Sequence, residues 1–275
     1  MGLRFVLVGL ALTMVMLAVG CSTNPVTGKR EISIYSEVDE VALGANAAPG
    51  VEKELGGVLP NPALQAYVNT VGQRVARVSH RPELKYHYAV LNSEVPNAFA
   101  LPGGYIYITR GLLAELRDES ELAAVLGHET GHVTAKHGVN QLQRQVGMQV
   151  LLDAVGSATE SPKVEAVAKV AANLTSLRYS RENETQSDEL GIEYAYKAGY
   201  NPSGMVGLLT VLSSLHETEP AKWTEYFQTH PLTDNRIEHA GQYIKGHYPD
   251  AKKNAGMRTG KEDLMKATAS LRAKP

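Results

Sequence analysis

Two histidines four residues apart, His128 and His132, with Glu129 directly after the first, are the residues whose types and spacing most directly imply chemistry. On a helix of 3.6 residues per turn, positions i and i+4 share a face, so both imidazoles converge on one point. Neutral imidazole is a good Zn2+ ligand, and Glu129 is placed to take a proton from water activated at such a metal. One more ligand is needed. A known arrangement takes it from a histidine six residues past the second one, but Ala135 and Gly138 stand where that pattern needs Gly and His. His137, five residues past His132, is about 140° round the helix and points elsewhere. With a single cysteine, Cys21, in the chain, a cysteine-based zinc site is excluded.

The remaining option is a carboxylate on a second helix, and the stretch from Ser180 to Asp188 offers one. Glu184 and Asp188 are i, i+4 on one face. Glu184 can therefore bind the metal while Asp188 accepts the outer N–H of a ligand histidine and fixes its tautomer. Arg181 is a charged neighbour of the same pair, and Glu182 points roughly opposite, into solvent. On an arbitrary helix Arg181, Glu184 and Asp188 would serve as surface ion-pair partners. Beside an HExxH the metal-binding use is preferred: one catalytic zinc ion on His128, His132 and Glu184, with Glu129 as general base.

These residues need particular elements to hold them. Asp118, with Glu121 three residues on, can cap a helix running through Leu122, Val125, Leu126 and Val133 to Gly138. The second ligand helix spans about 181–199, closed by Gly199 and Pro202. Asn61-Pro62 opens a helix over about 62–79, Ser36 caps one from Glu37, and further helices fall at about 203–216 and 233–247. Tyr86–Leu91, Asn97–Leu101 and Tyr105–Thr109 have strand composition, the last two flanking the turn Pro102-Gly103-Gly104. The fold class is α+β, mostly helical, with a small sheet.

Residues 1–20 read as an address. Arg4 precedes an apolar run from Phe5 to Gly20 broken only by Thr13, too short for a membrane span of about 20 residues. Leu17 to Cys21 resembles a bacterial lipobox, with Cys21 as the lipidated residue; a plain signal peptide or uncleaved anchor is the alternative. Residues 21–35 then form a tether, 36–248 the folded domain, and 249–275 a polar tail, solvated or frayed. A net charge of −2 over 275 residues gives nothing to attract a nucleic-acid backbone.

The chain resembles the zinc metallopeptidases of the HtpX and CAAX-prenyl-protease type, and most closely their periplasmic lipoprotein branch. The resemblance rests on Asn24-Pro25-Val26-Thr27-Gly28, Asn97 to Gly104, Thr109 to Leu113, the HExxH, Tyr179-Ser180-Arg181 with Glu184 and Asp188, and His230-Pro231 with Arg236. It implies a zincin-like fold of the gluzincin class, in which Glu129 works as base and then acid at a peptide bond. It also brings His230 to the site, as a donor to the oxyanion or as a residue that reaches the metal's open position and holds the enzyme latent, where spacing alone would leave it a structural histidine. Asn97, Ala98, Phe99 and Ala100 would form an exposed edge strand on which an extended substrate pairs through its main chain. Substrates would be unfolded or misassembled envelope proteins, met at the periplasmic face of the outer membrane. A chaperone that holds such proteins without cutting them is the main alternative, and a metal store a weaker one. Residues 139–177, between the ligand helices, read equally as a lid or a packed hairpin.

Overall fold

The computed structural model describes residues 20–145, 178–232, 235–252 and 256–272. The chain enters as a hairpin, β1 (Gly20–Thr23) against β2 (Arg30–Ser33), followed by the helices α1 (Glu37–Glu54) and α2 (Pro62–Ala76). Ser36 and Asp39 cap α1 reciprocally, and the Asn61 side chain caps α2. A three-stranded sheet comes next, made of β3 (His87–Leu91), β4 (Ala98–Leu101) and β5 (Tyr105–Thr109). Its order is β3-β5-β4, with β3 parallel and β4 antiparallel to the central strand. The short α3 (Arg110–Glu115) leads into α4 (Glu119–Thr134), the HExxH helix, capped by Asp118. After the interval 146–177, on which most of the lid-or-hairpin expectation falls, come α5 (Arg181–Lys197), α6 (Gly204–Thr218), α7 (Pro220–Thr229), α8 (Asn235–His247) and α9 (Lys261–Ala267).

Every residue of α4 is buried, because it runs through the core between the sheet, α2, α5 and α6. Its closest neighbour is α5, and small residues set that approach. A Cβ on Gly127 would lie 3.0 Å from the Gly191 carbonyl oxygen, and one on Gly191 2.9 Å from the His128 nitrogen. Gly131 faces Leu190 and Ser187 in the same way. Glycine at these crossings lets the two backbones touch, which brings the carboxylates of α5 within reach of the histidines of α4.

Three expectations need correction, and one helix lies beyond them. The HExxH helix ends at Thr134, not Gly138: Lys136 adopts φ +58°, a left-handed turn, and a second helical run occupies 137–145. Such a turn costs a non-glycine residue roughly 1–2 kcal/mol, so composition gives no warning of it, and Gly138 lies two residues beyond the break. The tether is instead the docked hairpin. Asn24 accepts from the nitrogens of Val26 and Thr27 and donates to the Ala135 carbonyl at 3.1 Å, stitching the turn to the end of α4.

The polar tail, where described, is also docked. Leu264 and Thr268 are fully buried, and Arg258 holds the buried Glu119 through two hydrogen bonds of 2.6 and 2.9 Å. Its net charge is real, but Leu264 on the inner face of α9 and Thr268 at that helix's C-cap suffice to seat it. Finally, α7 was not foreseen, although Pro220 at its start and the spacing of Trp223, Tyr226 and Phe227 are a helical signal.

Candidate active site

His128, Glu129 and His132 project from the C-terminal half of α4, Glu184 from the first turn of α5, and His230 from the residue that caps the end of α7. All five are buried. One donor atom from each of His128, His132, Glu184 and His230 lies within 4.8 Å of every other. The two Nε2 atoms of the α4 histidines are 3.0 Å apart, and His132 Nε2 is 3.4 Å from Glu184 Oε1. His230 Nδ1 is 3.0 Å from the same oxygen and 3.4 Å from His128 Nε2.

The outer nitrogens of the two α4 histidines are both occupied. His128 Nδ1 donates to Asp188 Oδ1 at 2.9 Å, which leaves its Nε2 lone pair facing the cluster. His132 Nδ1 meets His137 Nδ1 at 3.0 Å, and His137 Nε2 donates to Gln186 Oε1 at 2.9 Å. Burial lowers the His137 pKa to about 4, so its ring is neutral and its Nδ1 accepts from His132. His137 therefore does not point elsewhere: the left-handed turn at Lys136 swings the chain back and returns its ring to the site. Tyr179 stacks on the other side of His132, with ring centres 3.8 Å apart.

Arg236 of α8 balances the carboxylates. Its Nε and Nη2 grip Asp188 at 2.8 and 2.7 Å, and Nη1 comes within 2.8 Å of Glu184 Oε2 without hydrogen-bond geometry. It also donates to the Pro231 carbonyl, tying down the loop that presents His230. Burial opposes charge on Glu184, yet His230, Arg236 and His128 outweigh it and hold the carboxyl well below its usual range. Asp188 is lowered in the same way, burial again being overcome by Arg236. Burial dominates at Glu129, whose carboxyl is raised.

Arg181, expected beside Asp188, is exposed. It is the first residue of α5, two turns short of Asp188, where the helix meets solvent. Arg236 does what was expected of it; the residue stood in the His230-Pro231 motif, but spacing along the chain gave it no role.

The edge strand is also changed. By pairing, β4 is an edge of its sheet, but Asn97, Ala98, Phe99 and Ala100 are all buried. Phe99 packs in a core cluster with Tyr107 and Leu142, and Asn97 donates to Glu225 of α7 at 3.2 Å. The far end of the strand reaches the site, where Ala100 and Leu101 line a small pocket with His132, Lys136 and Tyr179.

Four polar atoms in this centre lack a hydrogen-bond partner although buried: both carboxylate oxygens of Glu129, Glu184 Oε2 and His230 Nε2, the last 3.7 Å from Glu129 Oε1. Unpaired buried polar groups cost several kcal/mol unless something occupies the space between them. Converging imidazole and carboxylate donors, with their outer atoms already satisfied, fit a divalent metal of the N- and O-binding kind.

The comparisons agree with that geometry. The beta-barrel assembly-enhancing protease of Yersinia pestis is 29% identical over 190 residues, covering 66% of this chain but 39% of its own length. The mitochondrial metalloendopeptidase OMA1 of Schizosaccharomyces pombe is 28% identical over 224 residues, 80% of this chain and 65% of its own. The metalloprotease YcaL of Escherichia coli is 26% identical over 157 residues, 56% of this chain and 60% of its own. The chain thus spans about two fifths of the assembly-enhancing proteases it matches. Residues 62–244, from the first residue of α2 into α8, match Peptidase family M48, and the chain belongs to that family.

Proposed function

We propose that the protein is a zinc-dependent metalloendopeptidase of the bacterial envelope that cleaves unfolded or misassembled proteins. The observation that carries this is Glu129: a fully buried carboxylate with no hydrogen-bond partner, 3.7 Å from His230 Nε2 and set between two histidines whose free nitrogens converge. His128, His132 and Glu184 would hold the ion, and Asp188 and His137 would fix the ring orientations. Bound there, zinc supplies Lewis acidity, polarising the scissile carbonyl and acidifying water. Glu129 takes the proton from the attacking water and returns it to the leaving amine. The domain at 36–248 would carry the chemistry, and a lipid on Cys21 would hold it at the periplasmic face of the outer membrane.

The placement of His230 favours the latent reading over the oxyanion donor. Its Nδ1 sits among the ligand atoms, where it would fill the position a substrate carbonyl needs. Because Glu225 on the same helix is bonded to Asn97, α7 covers both the ligand cluster and the start of β4. Substrate enters when α7 moves aside.

The test is zinc content and casein hydrolysis in the wild type and in His230→Ala. Both proteins should hold one zinc, and the variant should cleave faster, with 1,10-phenanthroline abolishing the activity and zinc restoring it. A loss of about 10²–10³ in kcat would instead return His230 to the oxyanion role. Zinc-loaded protein that cleaves nothing, with or without His230, would leave the holding role in place of proteolysis.

Asp188→Ala should weaken zinc binding by about 10–100-fold, the usual effect of removing the partner of a ligand histidine. Competition with a chromophoric chelator measures it. An unchanged Kd would show that Asp188 does not orient His128.

A further inference from the structure

Among the described residues seven large hydrophobic side chains are strongly exposed, and four of them fall within ten consecutive positions: Ile32 (71%), Ile34 (43%), Val38 (77%) and Val41 (38%). Single exposed hydrophobics are ordinary, but a run of this density is not. Ile32 lies in β2, Ile34 just past it, and Val38 and Val41 are neighbours, i and i+3, on α1. Ile34 and Val38 are four positions apart in the chain, at most about 14 Å.

We infer that this run, the end of β2 with the first turns of α1, is a docking face for the surface of a phospholipid bilayer. The inference rests on the proposal that the chain is membrane-attached through its N-terminus. What selects a bilayer as the occupant is where the apolar segment of the sequence delivers the chain. The run from Phe5 to Gly20 ends at the first residue of β1. In the hairpin register Gly20 pairs with Ser33, and Cys21 with Ile32. Directly paired residues in antiparallel strands have their Cα atoms about 4.5–5.5 Å apart. Whether the attachment is an acyl chain on Cys21 or the apolar run itself, the membrane meets the protein opposite Ile32.

The hairpin has no freedom to carry the domain away from that surface. Asn24, three residues after Cys21, is buried and bonded to the Ala135 carbonyl at the end of α4. Glu31 accepts from both Asn24 and Asn140, and the Ile34 nitrogen donates to Gln143. Charge does not select the surface, since Lys29 and Arg30 on one side are matched by Glu37 and Asp39 on the other, all exposed. The attraction is apolar, with valine and isoleucine side chains entering the boundary between headgroups and acyl chains. The active-site helix is then held at a fixed height and angle above the membrane.

Trp223 is the only tryptophan and is fully buried, so a second one reports its own surroundings. The full chain, made with its leader and purified in detergent, is reconstituted into phosphatidylethanolamine and phosphatidylglycerol vesicles, with and without brominated acyl chains. Ile32→Trp, Val38→Trp and, on exposed α8, Lys245→Trp are compared with the wild type. The protein should float with the vesicles, and brominated lipid should quench the added emission at 32 and 38 at least twofold while sparing 245. Flotation without quenching at 32 and 38 would overturn the docking face and leave the anchor standing. Failure to float would overturn both.

Discussion

Glu129→Gln is expected to hold a full equivalent of zinc and to hydrolyse unfolded casein about 10²–10⁴ times more slowly than the wild type, the range for loss of a general base. The side chain is fully buried on α4, so the substitution must keep its volume; the amide does. It removes the negative charge, which lies 3.7 Å from His230 Nε2, and the proton-accepting capacity, while neither carboxylate oxygen has a hydrogen bond to lose. The ligand atoms belong to other residues, so metal content should not change. His128→Ala and Glu184→Ala should lose metal and activity together. Zinc analysis beside a proteolysis assay separates these outcomes. Near-normal turnover in zinc-loaded Glu129→Gln would rule out the assigned base.

Arg236→Leu is expected to destabilise the metal-free protein by about 3–5 kcal/mol, the range for removing one partner of a buried ion pair. Asp188 would be left charged and buried with its main counter-charge gone, and Glu184 would lose one of its two leading counter-charges, His230 being the other. For a domain of this size that corresponds to a fall in Tm of roughly 10 °C. Zinc brings positive charge to Glu184, so the deficit should shrink when the metal is bound. Melting curves of both forms of both proteins test the difference. A metal-free variant that melts with the wild type would mean that the arginine does not stabilise these carboxylates.

What could be read from the sequence is what a helix repeat encodes. His128 and His132, and Glu184 and Asp188, sit at i, i+4 within single helices, and one turn of geometry relates each pair. The three strands and the capped helix starts are likewise local, set by side chains within a few residues. The contacts that local pattern missed are those made across the fold. His137 returns to His132 through one left-handed residue whose conformation the surrounding packing imposes. Arg236 meets Asp188 across 48 residues of chain, and Arg181, near in sequence, turns out to be remote from the site. Hydrophobicity placed β4 as a strand but not its exposure, which α7 and the core determine.

The helix that carries HExxH is held at both ends by distant segments. Asn24 binds its last turn from 111 residues upstream, and Arg258 binds Glu119 in its first turn from 139 residues downstream. Contacts so far apart in sequence form late, because a long loop must close before they yield anything. A ribosome must therefore finish residues 256–272 before the first turn of that helix acquires its clamp. A chain cut short after His230 would carry the whole His/Glu cluster around an incompletely gripped helix. The geometry of the His/Glu cluster is in this way coupled to the docking of a segment that shares no element with it.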